Sequence, residues 1–195
     1  MPAFQKAKKK ILKYISGLGF KPNDLKQIII THADFDHVGG LAALKKASGA
    51  QVYASATEAA AIASGRASRA MRPTNPLLKL VFGIMAHLGK TTKVQAAELL
   101  SDGQILPILG GLQVLETIGH TPGHISLFSP STGILFSGDS IVSDQGRLYS
   151  SRQAVTWNRQ KADESARRQA GLGVTTVCPG HGPVVKDAQD KFPIV

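Results

Sequence analysis

Cysteine occurs only once in this sequence of 195 residues, at Cys178, so no disulfide can form within the chain. Disulfides persist mainly in oxidising compartments, and the cysteine content indicates none of these. Lys13 interrupts the apolar residues near the N-terminus and no small-residue cleavage site follows, so we expect no signal peptide. The sequence therefore predicts a cytoplasmic protein.

Long apolar runs are also missing. The most apolar later stretch, residues 76–88, contains Lys79 and His87. It is shorter than the roughly 20 residues that a membrane-spanning helix requires. We therefore predict no membrane partner.

Acidic residues are scarce, with 13 against 23 lysines and arginines, and the formal net charge is +10. Such a balance is typical of proteins that bind nucleic acids or other anionic partners. Seven of the basic residues, however, lie within the first 26 positions, mostly on one face of a predicted helix. The sequence also lacks the mixture of aromatic and basic residues on which bases stack. We favour a solvated surface over a partner site and expect no nucleic-acid partner.

Three widespread functional motifs are absent. The sequence contains neither GxxxxGKS/T nor GxGxxG, which cradle phosphates in nucleotide-binding proteins. It also lacks the GxSxG elbow of serine hydrolases. Cys178 adjoins a proline after apolar residues, so we interpret it as a buried structural thiol and not as a nucleophile.

Hydrophobic spacing predicts an α/β chain folded as one domain, residues 1–195. Helices are predicted over residues 4–18, 41–48, 56–65 and 157–170, and strands over 27–31, 51–54, 105–109, 112–118, 125–128, 134–137 and 174–178. The strands between 105 and 137 are separated by glycine and proline turns, which is typical of an antiparallel meander. The first helix is amphipathic, and we expect it to cover a core.

Histidine is rare but strongly clustered. Five of the six histidines fall in three short segments that contain glycine and follow predicted strands: His32, His37, His120, His124 and His181. Loops at strand ends can hold imidazole and carboxylate ligands rigidly while leaving a metal ion open to substrate. Any one of these histidines alone would more simply be structural, but the clusters together predict a metal site.

Carboxylates accompany the histidines. Asp34 and Asp36 lie between His32 and His37, so one loop can serve two ions. Asp139, in LFSGDS, follows another predicted strand. A carboxylate has two oxygens and can bridge two ions about 3.5 to 4 Å apart. The pattern therefore favours two-metal hydrolysis.

Four segments occur in a characteristic order: THADFDHVGG, GHTPGH, SGD and PGHG, within residues 27–185. They resemble the successive metal motifs of the metallo-β-lactamase superfamily. The resemblance implies a four-layer αββα sandwich and a metal-dependent hydrolase with one or two Zn²⁺ ions.

The resemblance also implies a role for each ligand. The first metal site would be formed by His32, Asp34 and His120, the second by Asp36, His37 and His181, and Asp139 would bridge them. Asp36 and Asp139 would orient the attacking water. His120 is the expected ligand of GHTPGH, which leaves His124 beside the ligands or lining the pocket. Tyr149 is a further candidate for the pocket wall, with a core position as the alternative.

Two departures from the family pattern carry further expectations. Asp34 stands where the usual HxHxDH motif has its second histidine, and a harder carboxylate ligand admits iron or manganese at the first site. The strands that usually precede the first helix are missing, so we expect an exposed sheet edge that a homodimer could cover. Residues 66–98, which are basic, then proline-broken, then apolar, are a candidate lid or dimerisation insertion, or a plain connecting helix.

The preferred substrate is a small ester, lactone, thioester or β-lactam. A phosphodiesterase of the same fold is the alternative enzyme, mildly favoured by the basic surface. A non-catalytic, metal-binding or oligomeric remnant is the alternative from outside enzymology.

Overall fold

The computed structural model describes residues 2–69 and 91–192, with side chains from residue 8 onward. The chain divides into two compact units, Met1–Leu99 and Leu100–Val195. Each has its own cluster of buried apolar side chains. The expectation of a single domain therefore stays a prediction.

The first unit consists of helices and a small sheet. Its elements are α1 (Pro2–Gly17), a 3-10 turn (Pro22–Asp24), β1 (Gln27–Ile30), α2 (Phe35–Val38), α3 (Leu41–Ser48), β2 (Gln51–Ser55) and α4 (Ala56–Ser64), with β3 (Glu98–Leu100) at the boundary. The strand order is β1-β2-β3, and β1 pairs with β2 in parallel. The carboxyl ends of β1 and β2 therefore lie at one edge.

Helix α1 is where the sequence predicts it, and the expectation that it covers a core stays a prediction. None of residues 8–17 is buried, and Ile11 and Leu18 are 42% and 58% exposed. The helix contacts α3 and half-buries Leu12 and Ile15. The buried cluster of this unit lies on β1, β2, α2, α3 and α4 and on two residues outside them, Ala33 and Val94.

The second unit contains a larger sheet. Its elements are β4 (Ile105–Leu106), β5 (Leu112–Glu116), β6 (Ile125–Ser129), β7 (Ile134–Gly138), β8 (Ile141–Asp144), β9 (Arg147–Ser150), a 3-10 turn (Gln153–Val155), α5 (Arg159–Ala170), β10 (Thr176–Pro179) and β11 (Val185–Lys186). The order β11-β10-β7-β6-β5-β4 confirms the predicted meander, in which β4 to β7 pair antiparallel. Strand β10 returns parallel to β7.

The hairpin of β8 and β9 is absent from the sequence-based prediction. Its turn places Gln145 at φ 47° and Gly146 at φ 77°, as the tight turns that match strand twist require. Glutamine is an uncommon residue at the first of these positions, which explains why the sequence did not signal the hairpin.

Most of the candidate lid or dimerisation segment lies outside the described residues, since residues 70–90 are among those not described. The homodimer likewise stays a prediction. Among the helices of the described ranges, none combines the length and apolar character needed to cross a bilayer.

An exposed ion pair joins α5 to the loop before β4. Arg168 Nη2 lies 2.9 Å from Asp102 Oδ1, and the backbone N–H of Glu116 donates to the same oxygen at 2.7 Å. Burial raises the pKa of Asp102, but the hydrogen bonds and charge of Arg168 and the Glu116 N–H outweigh it, so the pKa is lowered overall. The ionised carboxylate therefore stabilises the fold.

We expect Asp102→Asn to lower the free energy of unfolding near neutral pH by roughly 0.2–1 kcal/mol, as for other exposed pairs. A lowered folded-state pKa gives stability above the unfolded pKa that is lost as the pH falls through the folded pKa. The difference from wild type should therefore shrink in acid below the ordinary aspartate pKa. Urea unfolding at several pH values measures it. Arg168→Gln should show the same trend, and equal differences at all pH values would contradict the assignment.

Gly182 lies in a close backbone approach between the PGHG turn and β8. Its φ is +97°, and a Cβ there would clash with the backbone oxygen of Ser143. Gly146 has a similar φ of +77° but faces open space. A comparison of alanine variants at these two glycines therefore distinguishes the cost of backbone strain from that of steric overlap.

We expect Gly182→Ala to destabilise the protein by roughly 1–3 kcal/mol more than Gly146→Ala, because overpacking adds to the cost of a positive φ. Chemical denaturation of the two variants measures the difference. Equal losses would show that the turn moves away from β8 without cost.

Candidate metal centre

The ligand loop of the first unit begins where β1 ends. His32 follows β1 after Thr31, and Asp34 is the N-cap of α2, a single helical turn that carries Asp36 and His37. The N–H groups of His37 and Val38 donate to the Asp34 carbonyl at 2.9 and 3.0 Å. The sequence predicted a strand-end turn here, and the structure shows that this turn is helical.

These four side chains lie close together. His32 Nε2 is 3.9 Å from Asp34 Oδ2, His37 Nε2 is 3.8 Å from Asp36 Oδ2, and the two imidazole centroids are 4.0 Å apart. Thr31 Oγ1 lies 3.1 Å from His32 Nδ1 and thereby orients the ring with Nε2 toward Asp34. His32 is fully buried, whereas the Asp36 side chain is 42% exposed.

Glu58, in the first turn of α4, holds the ligand loop in place. Because β1 and β2 are parallel, α4 begins beside the ligand loop, with Ser55 Oγ accepting from the Glu58 N–H at 3.4 Å. The fully buried Glu58 carboxylate accepts from the Ala33 N–H at 2.8 Å and from Ser68 Oγ at 2.9 Å. No pattern in the sequence linked Glu58 to the ligand loop.

Arg69 is a second residue that sequence reasoning missed. Its Nη2 donates to Asp34 Oδ2 at 2.7 Å, and only 3% of its side chain is exposed. In the sequence it was simply one of several basic residues after α4. No local pattern could have linked it to Asp34, which lies 35 positions away.

The ligands of the second unit share one edge of its sheet. Asp139 follows β7 and His181 follows β10, and these strands are parallel, so their carboxyl ends lie side by side. His120 lies in the connection from β5 to β6, which are antiparallel. The chain path therefore delivers all three side chains to the same edge.

Asp139 lies between the two histidines. Its Oδ2 is 3.6 Å from His120 Nε2 and 3.4 Å from His181 Nε2. Charge-assisted hydrogen bonds are shorter than this, at about 2.7–2.9 Å. Two donors at about 2.0–2.2 Å from a shared tetrahedral ion lie roughly 3.4 Å apart. The donor set and its spacing thus fit a divalent ion, and the shared Oδ2 fits a bridging carboxylate.

His124 has a different environment from His120. Its Nε2 accepts from the backbone N–H of Asp139 at 3.0 Å, so in the neutral ring the proton is on Nδ1. Nδ1 lies 2.8 Å from Thr117 Oγ1. The Thr117 hydroxyl in turn forms a hydrogen bond with Ser126 Oγ at 2.8 Å. His124 therefore fixes the backbone of Asp139. This arrangement agrees with His120 as the ligand of the pair, which stays a prediction.

The His120 ring is held by the segment before α5. Ser151 Oγ lies 2.8 Å from His120 Nδ1, and Thr156 Oγ1 donates to Ser151 Oγ at 2.9 Å. The Trp157 N–H donates to the His120 carbonyl at 3.1 Å. A hydrogen bond at Nδ1 leaves Nε2 as the nitrogen directed toward Asp139.

Two other predicted residues are placed as follows. Tyr149 lies on β9 and is 44% exposed, and its assignment to a pocket wall stays a prediction. Cys178 lies on β10 and is half-buried, and burial raises the pKa of its thiol. A raised pKa lowers the thiolate fraction, which agrees with a structural thiol.

The sequence of this chain is similar to those of known metal-dependent hydrolases. The family model of the metallo-beta-lactamase superfamily matches residues 3–181. A hydroxyacylglutathione hydrolase from Rhodobacter capsulatus is 35% identical over 158 residues, which cover 80% of this chain and 48% of the relative. The protein YobT of Bacillus subtilis is 28% identical over 94% of this chain and 77% of its own length. The chain thus spans about half the length of the hydroxyacylglutathione hydrolase.

Solved structures confirm the predicted α/β fold class. A metallo-beta-lactamase family protein from Thermus thermophilus aligns with a TM-score of 0.68 over 93% of this chain and 62% of its own, at 23% identity. TTHA1623 in a di-iron-bound form also aligns with a TM-score of 0.68, over 96% of this chain and 84% of its own, at 26% identity. The chain belongs to the metallo-beta-lactamase superfamily, a superfamily of metal-binding hydrolases.

Proposed function

We propose that this chain hydrolyses a small thioester or a related ester, lactone or β-lactam at a binuclear metal centre. The observation that carries the proposal is Asp139 Oδ2, which lies 3.4–3.6 Å from the Nε2 atoms of His120 and His181. A carboxylate oxygen shared between two imidazoles at this spacing suits a ligand of metal ions.

The resemblance to the family motifs assigns the ligands of the two sites. One site would take His32, Asp34 and His120, and the other Asp36, His37 and His181. Zinc suits the imidazole ligands, and iron or manganese suits the first site, where the carboxylate of Asp34 would be a ligand. The di-iron form of TTHA1623, a protein 26% identical to this chain, supports considering iron.

The metal ions would supply a Lewis acid that lowers the pKa of water to near neutrality and polarises the substrate carbonyl. The chain's own residues would do the positioning. Asp36 and Asp139 would accept hydrogen bonds from the attacking water and orient it. His124 keeps Asp139 in place through its backbone N–H, and Ser151 keeps the His120 ring from rotating.

A thioester is the favoured substrate among these acyl compounds. The supporting observation is the 35% identity to a hydroxyacylglutathione hydrolase, whose name denotes an acylated glutathione, which is a thioester. That relative is about twice as long as the matched region, so we transfer its substrate to this chain as a hypothesis. The phosphodiesterase alternative is favoured only by the net charge of +10.

We expect the metal-loaded protein to hydrolyse a thioester, and Asp139→Ala and His120→Ala each to lose more than about 100-fold in kcat/KM. Loss of residues next to metal ligands already costs about 10–100-fold, and loss of a ligand should cost more. Steady-state assays should compare a glutathione thioester, a lactone, nitrocefin and bis-nitrophenyl phosphate. Removal of metal with a chelator should abolish turnover, and added Zn²⁺ should restore it.

Asp144→Ala is the matched control, since Asp144 is exposed at the end of β8 and lies five positions from Asp139. Its turnover should equal that of wild type. Turnover confined to the phosphodiester would shift the assignment to the alternative enzyme. A metal-loaded protein without turnover on all four substrates would favour the non-catalytic alternative.

A further inference from the structure

We propose that Arg69 is a positioning residue that sets the metal affinity of the first site by pairing with Asp34. The inference rests on the proposed metal centre and concerns residues of the first unit only. Arg69 would hold Asp34 in place and offset its charge, so that the pair presents a bound ion with little net charge. Its presence would weaken metal binding and stabilise the metal-free protein.

The ion pair between Arg69 and Asp34 is largely buried, and burial of charged groups has a high free-energy cost. The Arg69 side chain is 3% exposed and that of Asp34 is 15% exposed. A buried guanidinium loses its hydration, and a partner of opposite charge must compensate this loss. The partner is Asp34, at 2.7 Å from Nη2. Removing Asp34 would therefore leave the buried guanidinium poorly compensated.

The contact is made by one arm of the guanidinium. Arg69 Nη1 is buried and has no hydrogen-bond partner among the residues that the structure describes. A bidentate pair would engage both oxygens of the carboxylate and leave fewer lone pairs for a metal ion. A one-armed contact, through Oδ2, is compatible with Asp34 acting as a metal ligand at the same time.

The position of Arg69 is itself fixed by the ligand loop. The preceding residue, Ser68, donates to Glu58 Oε1, and Glu58 Oε2 accepts from the Ala33 N–H. One buried carboxylate therefore ties the loop beside Asp34 to the segment that carries Arg69. The arginine is held in register with Asp34 and is not a mobile surface cation.

Electrostatics gives the sign of the effect. A divalent ion ligated by Asp34 would lie within several ångströms of the guanidinium and would be repelled by it. Without the guanidinium, the Asp34 carboxylate of the metal-free protein would lose its arginine partner, and metal binding would offset that loss. Both effects make the metal-bound state relatively more favourable when the arginine charge is removed.

The test is zinc binding to the full chain, measured by competition with a chromophoric chelator, with metal content by mass spectrometry. We expect Arg69→Gln to bind zinc more tightly than wild type, with one stepwise Kd lowered by about tenfold or more. Its metal-free form should melt at a lower temperature than wild type, and zinc should raise the Tm by more than in wild type. Arg69→Lys keeps the charge and should retain the wild-type Kd.

The matched control is Arg66→Gln, which removes the same charge from an exposed residue of the same segment. Its Kd should stay within about twofold of wild type, because exposed charges are screened. If Arg69 is merely structural, Arg69→Gln would lower the Tm equally with and without zinc and leave the Kd for zinc unchanged. If Arg69 instead binds substrate, Arg69→Gln would raise the KM and leave zinc binding unchanged. Either result would overturn the proposal.

A paired variant keeps the test informative if Arg69→Gln folds poorly. Asp34→His alone leaves the buried arginine opposite an imidazole, and we expect it to lower both Tm and zinc content. Combining it with Arg69→Gln should restore both, because a neutral histidine needs no compensating cation. Failure of the double variant to recover would contradict the charge pairing. Absence of zinc binding by wild type would instead overturn the proposed metal centre itself.

Discussion

Parallel strand pairing decides where the ligand residues of each unit lie. In the first unit, β1 runs parallel to β2, so the loop that carries His32 and the start of α4 meet at one sheet edge. In the second, β10 runs parallel to β7, which places His181 beside Asp139. Residues remote in sequence become neighbours because the carboxyl ends of parallel strands coincide. The hydrogen bonds around the ligands depend on this placement.

The two ligand sets are braced by different chemistry. In the second unit, neutral groups do the work: Thr117 and Ser126 hold His124, and Ser151 holds His120. In the first, charged groups do it, since Glu58 accepts from the ligand loop and Arg69 contacts Asp34. Neutral networks fix orientation through geometry, whereas ionic contacts also change the potential at the ligand. Charge substitutions should therefore affect the two sets unequally.

The sequence predicted what local patterns encode. Hydrophobic spacing located α3, α4, β2 and the meander β4–β7, and the motif order identified the family. The helical turn α2 was missed because a four-residue turn has no periodicity. Glu58 and Arg69 were missed because their contacts join segments 25 and 35 positions apart.

Asp34 connects these points. As a carboxylate at a position where the family usually has histidine, it adds a negative charge to a loop that already contains Asp36. The buried Arg69, which lies outside the loop, offsets that charge. The departure from the family motif and the burial of Arg69 then have one physical explanation. A substitution in a ligand motif is best interpreted together with the charges that the fold brings to it, because the electrostatic environment of the ion, and not the ligand alone, sets its affinity.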